Sequence, residues 1–346
     1  MNQTAVLVAP GRVELQELPS PTPGPGEIVV RVRAALTDGT DLKAFRRGHP
    51  KMPMPTPFGH EFSGDVAAVG SGVERFSEGD AIMAVHSAPC GRCYWCHADQ
   101  ENLCVELMET KILGAYAQQI LVPRHIVARN AFVKPAALPY EHAAFLEPLA
   151  CVVHSVELCA PRAGDLAIVL GAGGFGLLHV ALLRTLGVRV AVVGRGTARL
   201  ALARASGAEW VREVTLERES VNGVRAFVEE ISGGRGADRV IECTGQVEGW
   251  HAGLALARRG GVVSLFGGPA PGSTVYVDTS RLHYDQISVL SPFHFRPRDV
   301  RRAYELLAGG AIDVSALISG RSGLEGIEGV FARLQRGEGV KYAVLP

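Results

Sequence analysis

Four of the seven cysteines in the chain fall within residues 90–104, CGRCYWCHADQENLC. Cys90, Cys93, Cys96 and Cys104 follow the spacing C-x2-C-x2-C-x7-C. Four thiolates on one short loop can close a tetrahedral shell around Zn2+. A closed shell leaves no position for a substrate, so the spacing points to a structural metal, and the chemistry must lie elsewhere. An iron–sulfur cluster is the alternative occupant, since it too is held by four thiolates. Cys151, Cys159 and Cys243 stand in apolar surroundings and read as buried small side chains.

A second motif is GAGGFG, residues 171–176. Gly171, Gly173 and Gly176 fit G-x-G-x-x-G, with Gly174 and Phe175 between them. In a strand-to-helix turn the first glycine permits the tight bend and the second lets the backbone approach a pyrophosphate. The third lets helix and strand pack closely. The helix N-terminus then offers free N–H groups to the phosphates. At the end of the following strand an NAD site usually carries an acid for the ribose 2′-OH. Here Gly194 takes that place, with Arg195 next and Arg199 one turn on. Two guanidiniums without a carboxylate suit a 2′-phosphate, so NADP is expected over NAD.

Three polar stretches remain: LTDGTDLK with Asp38 and Asp41, PFGHEFSG with His60 and Glu61, and FLEPLA with Glu147. Taken singly, each is compatible with ordinary polar structure.

The elements that must position these groups change character along the chain. Up to about residue 150 the pattern is β-rich, as in EIVVRVRAA, with glycine and proline too frequent for long helices. From about residue 160 buried strands alternate with helical segments. DLAIVLGAG, VRVAVVG, EWVREV, ADRVIECTG and GGVVSLFGG read as five strands of a doubly wound α/β domain. After about residue 292 one helix, PRDVRRAYELLAGG, and a short tail are expected.

A chain of 346 residues suits two domains, and 47% apolar with 20% charged residues suits a globular protein. Lys+Arg and Asp+Glu are both 35, which argues against a nucleic-acid or acidic-membrane surface. No signal peptide or membrane span is read, so a cytoplasmic setting is expected.

GHEFSG, the four-cysteine lobe, EPLA, GAGGFG and IECTG, in that order, resemble the zinc-dependent medium-chain dehydrogenase/reductase family. The resemblance covers the whole chain and is closest to the sorbitol, threonine and sugar dehydrogenases. It implies an α/β protein with a GroES-like catalytic domain (1–150 and 292–346, with a structural-zinc lobe at about 88–106) and a Rossmann domain (151–291). It implies a catalytic zinc at His60 and Glu61, with Glu147 near the metal. It also implies Thr40 as the hydroxyl that passes the substrate proton, and a homodimer or homotetramer.

Three positions depart from the family pattern. Asp38 stands where the first ligand is usually cysteine, and carboxylate oxygen is an accepted zinc donor. Lys43 replaces the histidine of a proton relay. His294 and Phe295 replace an Arg-Tyr pair that meets the polyol. The implied activity is hydride transfer between NAD(P) and a secondary alcohol or ketone, such as a polyol or sugar. A zinc-independent quinone or enone reductase, and a non-enzymatic nucleotide-binding scaffold, are the alternatives.

Overall fold

The computed structural model describes residues 1–214 and 220–346. The chain divides into two compact units, Met1–Ala150 with Phe295–Pro346, and Cys151–His294.

The first unit is built on a seven-stranded sheet and a smaller three-stranded one. The central strand Ile28–Leu36 alternates as its sequence predicts, with Arg31 and Arg33 exposed between buried neighbours. It pairs antiparallel with Glu61–Val69, with Gln119–Val122 and with Lys341–Val344. The core beneath gathers Phe45, Phe58, Phe62, Tyr116 and Phe331. Phe331 stacks on Phe45 at 5.2 Å between ring centroids, which brings the C-terminal part of the chain into the N-terminal core.

The C-terminal part is therefore more than a helix and a tail. After the expected helix Pro297–Ala308 come a strand Ile318–Ser322, a second helix Ile327–Gln335 and the strand Lys341–Val344. That helix buries Ile327, Val330, Phe331 and Leu334, one apolar stripe at helical spacing. The last strand has only four residues, and its partner lies about 300 positions earlier, so no local pattern announces it.

The second unit holds a six-stranded, wholly parallel sheet. Its order is 210–213, 189–194, 166–170, 237–242, 257–265 and 288–290. Numbered along the chain, that is the 3-2-1-4-5-6 order of a Rossmann sheet. All five expected strands are present. The sixth, Ser288–Leu290, is short and partly exposed, which leaves little sequence signal. No helix among the described residues is long and apolar enough to cross a membrane.

Candidate active site and metal centres

Asp38 caps the helix Gly39–Arg47. Its carboxylate accepts the Thr40 backbone N–H at 2.7 Å, and the Thr40 hydroxyl also bonds to it. The cap therefore fixes Asp38 and Thr40 relative to each other. His60 precedes the strand Glu61–Val69. Gly59 before it has φ +87°, and a Cβ there would lie 2.8 Å from the Tyr116 ring, so the Gly-His-Glu turn needs its glycine.

His60 Nδ1 lies 3.0 Å from Asp41 Oδ1, and the Tyr116 hydroxyl lies 2.6 Å from Asp41 Oδ2. This hydrogen-bond chain occupies one ring nitrogen. The other, Nε2, faces Asp38 Oδ2 at 3.9 Å. Metal-ligating histidines commonly have this arrangement, with a carboxylate orienting the far nitrogen. Donor atoms of Asp38, His60 and Glu61 all lie within 4.8 Å of one another, and all three residues are buried.

Glu147, in the first turn of the helix Leu146–Cys159, lies with Oε1 3.4 Å from His86 Nδ1. The His86 ring meets the His60 ring edge-on at 4.9 Å and the Phe295 ring at 6.1 Å. His86 has no motif of its own in the sequence. Lys341 is a second unforeseen residue. Its ammonium lies 2.6 Å from each oxygen of Glu61, donates to the Thr37 carbonyl at 2.8 Å and stands 3.8 Å from Asp38.

Asp38, Glu61 and Glu147 are thus buried carboxylates that act on one ammonium, while a fourth, Asp41, is buried behind His60. Burial, then the charge of Asp38 and Asp41, pushes Glu147 up to about 7. Burial drives Glu61 well above the carboxylate range although Lys341 opposes it. Burial alone would lower His60, but Asp41, Glu147 and Asp38 carry it well above its ordinary value. Such crowding of negative charge is relieved by a divalent cation. Carboxylate oxygen and imidazole nitrogen are accepted zinc donors, although a set without sulfur selects zinc less sharply than one with cysteine.

The four-cysteine loop is a separate cluster. All four sulfurs lie within 4.8 Å of one another, with Cys93–Cys96 at 3.5 Å and Cys90–Cys96 at 3.9 Å. Zn–S bonds of ~2.3 Å in a tetrahedron put sulfurs about 3.8 Å apart, whereas a disulfide needs ~2.0 Å. Backbone N–H groups, first that of Cys96, lower the Cys93 thiol to about 6, whereas burial pushes Cys96 and Cys104 up, so without a metal the four thiols share their protons unequally.

In the second unit the buried strand Leu166–Leu170 runs into Gly171, and Gly173 caps the helix Gly174–Thr185. A Cβ on Gly176 would lie 1.9 Å from the Gly171 carbonyl oxygen, whereas one on Gly173 would meet nothing within 4 Å. Close packing at one glycine and open space at another fit the pyrophosphate cradle. The Phe175 ring packs against Phe266 at 4.9 Å.

Gly194 ends the next strand. Burial, and then the Arg195 charge, lowers Arg199. A carboxylate is nevertheless near. Glu213 pairs in register with Gly194 from the adjacent strand and accepts the Gly196 N–H at 2.9 Å.

Residues 24–131 match the family described as Alcohol dehydrogenase GroES-like domain, and residues 174–309 match Zinc-binding dehydrogenase. An L-threonine 3-dehydrogenase of Bacillus velezensis is 30% identical over 96% of this chain and 95% of its own. A sorbitol dehydrogenase of Halalkalibacterium halodurans is 28% identical over 97% and 96%. Among solved structures, a protein of Sinorhizobium meliloti described as a zinc-binding dehydrogenase, bound to NADP, is 33% identical. It superposes with a TM-score of 0.89 over 100% of this chain and 99% of its own.

Proposed function

Because the chain belongs to the zinc-containing medium-chain alcohol dehydrogenase superfamily, we propose that it moves a hydride between NADP and a secondary alcohol of the polyol or sugar kind. At the coarser level it is a zinc-dependent, NAD(P)-linked dehydrogenase of CH–OH groups. The observation that carries the finer reading is the buried cluster of Asp38, His60, Glu61 and Glu147 around Lys341.

In this reading Asp38, His60 and Glu147 hold the catalytic zinc. Glu61 rests on Lys341 as a reserve carboxylate, and Asp41 orients His60. A zinc ion held by these residues would supply Lewis acidity at the substrate oxygen, lowering the alcohol pKa. Thr40, tied to Asp38, takes the substrate proton. Cys90, Cys93, Cys96 and Cys104 hold the structural zinc.

The Cys151–His294 unit binds the dinucleotide, with Gly171, Gly173, Gly174, Phe175 and Gly176 at the pyrophosphate. Arg195 and Arg199 receive the 2′-phosphate beyond Gly194. The NADP bound to the Sinorhizobium meliloti relative supports that choice, and Glu213 is the feature that opposes it. A homodimer or homotetramer is carried over from the family alone.

The test is a panel of polyols, sugars and secondary alcohols with NAD and NADP, on protein of measured zinc content. Turnover that follows zinc content and favours NADP is expected. Protein with two zinc ions per chain and no turnover on the panel overturns the reading.

A further inference from the structure

The sheet order of the second unit reverses between the strands Leu166–Leu170 and Ala237–Glu242. In open α/β sheets, ligands bind outside the carboxyl ends of the strands at such a point. Leu170 ends the first of these strands and runs into GAGGFG. Glu242 ends the other, pairs in register with Leu170 on one side and Leu265 on the other, and is fully buried. Burying a carboxylate is costly unless its oxygens are hydrogen-bonded.

The Glu242 side chain folds back onto the residues that follow it. Its Oε1 accepts the Thr244 N–H at 2.6 Å and the Thr244 hydroxyl, and both oxygens share the Gly245 N–H at 3.2 Å. The Thr244 hydroxyl accepts the Gln246 N–H at 3.2 Å, at the N-cap of the helix Val247–Leu256. Two glycines make room for the carboxylate: a Cβ on Gly249 would lie 2.5 Å from Oε1, and one on Gly267 2.7 Å from Oε2. Gly267 follows the strand Ala257–Leu265. It donates its N–H to the Glu242 carbonyl at 2.8 Å, and its own carbonyl accepts the Trp250 indole N–H at 2.8 Å. Glu242 therefore ties together the loops after the fourth and fifth strands and the helix between them.

Thr244 carries this arrangement to the glycine motif. A Cβ on Gly171 would lie 3.1 Å from Thr244 Cγ2 and 3.5 Å from its backbone nitrogen. Thr244 thus backs the first glycine of the motif, whose φ of +107° makes the tight turn. Displacing Thr244 would disturb that turn as well as its own loop.

Resting on the dinucleotide reading above, we propose that Glu242 is a positioning residue of the dinucleotide site: through Thr244 it sets the turn at Gly171 that receives the pyrophosphate. The pyrophosphate is common to NAD, NADP and ADP-ribose, so Glu242 serves all three alike. A 2′-phosphate contact would serve NADP alone.

The variants are Glu242→Gln, which keeps the shape but sets an amide against N–H donors, Thr244→Val, which removes only the hydroxyl bond, and the double variant. Binding of NADP, NAD and ADP-ribose to the zinc-loaded protein is measured by calorimetry. Amide hydrogen exchange over residues 171–176 is followed without ligand. Glu242→Gln should weaken all three ligands by a common factor of about tenfold. Exchange at 171–176 should quicken, and zinc content should stay the same. With a substrate from the panel, the cofactor KM should rise by a similar factor at nearly unchanged kcat. Thr244→Val should give the same pattern with a smaller loss, and it carries the test if Glu242→Gln does not fold. The double variant should lose little more than Glu242→Gln alone, because the two residues act as one unit.

Unchanged affinities in both single variants overturn the proposal and leave the dinucleotide site standing. So do a loss confined to NADP, additive losses in the double variant, or weakened binding with wild-type exchange at 171–176. Wild type that binds none of the three ligands overturns the dinucleotide reading and this assignment together.

Discussion

Lys341 Nζ stands 2.6 Å from each carboxylate oxygen of Glu61, joining the last strand of the chain to the strand that follows the Gly-His-Glu turn. Both partners are buried, and the two residues are 280 positions apart. In the proposed reading, this ion pair holds Glu61 in reserve and leaves Asp38, His60 and Glu147 for the metal. It also sets a buried ammonium 3.8 Å from Asp38.

Lys341→Met leaves the Glu61 carboxylate buried without its cation. In metal-free protein this should cost about 3–5 kcal/mol of unfolding free energy, with Lys341→Arg losing much less. Zinc should bind the Met variant more tightly, because the cluster has lost its resident positive charge. Denaturant titration and chelator competition check both. A Met variant as stable as wild type shows that the pair does not matter to the fold.

Metal-free protein should lose stability as pH rises from about 4.5 to about 7. Burial, helped by Asp38 and Asp41, raises Glu147 to about 7, which sets this window; the raised His60 adds a further loss only above about 6.5. A raised folded pKa means that the native state holds more protons than the unfolded chain in this window. The stabilisation is complete below the unfolded pKa and disappears as pH passes the folded one. Zinc takes the place of those protons, so the loaded protein should show a flatter profile. Thermal midpoints of both forms across that range are the measurement.

Asp38→Ala should lower zinc from about two to about one ion per chain and abolish turnover while the fold survives, because it removes a ligand from an open site. Cys96→Ser should instead destabilise the lobe and lower the thermal midpoint, by roughly 5 °C or more. Metal analysis and melting curves separate the two. Full zinc and full activity in Asp38→Ala would sink the ligand assignment.

Asp41→Asn weakens the bond that orients His60. Loss of such an outer-shell partner typically costs ~10–100-fold in metal affinity. Tyr116→Phe, which removes only the hydroxyl on Asp41, should move affinity in the same direction by less. Chelator competition on the two variants tests the order, and equal affinities in all three proteins would remove Asp41 from the site.

Arg195→Ala should weaken NADP by about 1.5–3 kcal/mol, the worth of a charge-assisted phosphate contact, with little change for NAD. Glu213→Gln should act in the opposite sense and strengthen NADP, since it removes a carboxylate from beside the loop after Gly194. Fluorescence titration with both cofactors reads the two effects. Equal losses for NAD and NADP in Arg195→Ala would remove the 2′-phosphate assignment.

What could be read from the sequence are the features whose geometry is local. Four cysteines on one loop of fifteen residues must lie near one another whatever the rest of the chain does. GAGGFG after an apolar run specifies a strand, a turn and a helix start through the φ values and close contacts of its own glycines. The alternation of strands and helices after residue 160 likewise expresses local periodicity, and it leads to the parallel sheet.

The partners of His60 and Glu61 are another matter. Asp41, Tyr116, His86, Glu147 and Lys341 come from separate segments, and no spacing in the chain encodes which of them will meet. Strand register decides it: Leu36 pairs with Glu61 on one side and with Ala343 on the other. That pairing carries Lys341 to Glu61 and closes a contact across almost the whole chain. Tertiary structure alone made the acid of the Gly-His-Glu turn an ion-pair partner, set Glu147 beside His86, and brought Glu213 to the loop where the nucleotide strand itself supplies only glycine. Local propensity is a property of neighbouring residues, whereas these contacts exist only once distant strands have paired and their shared core has excluded water.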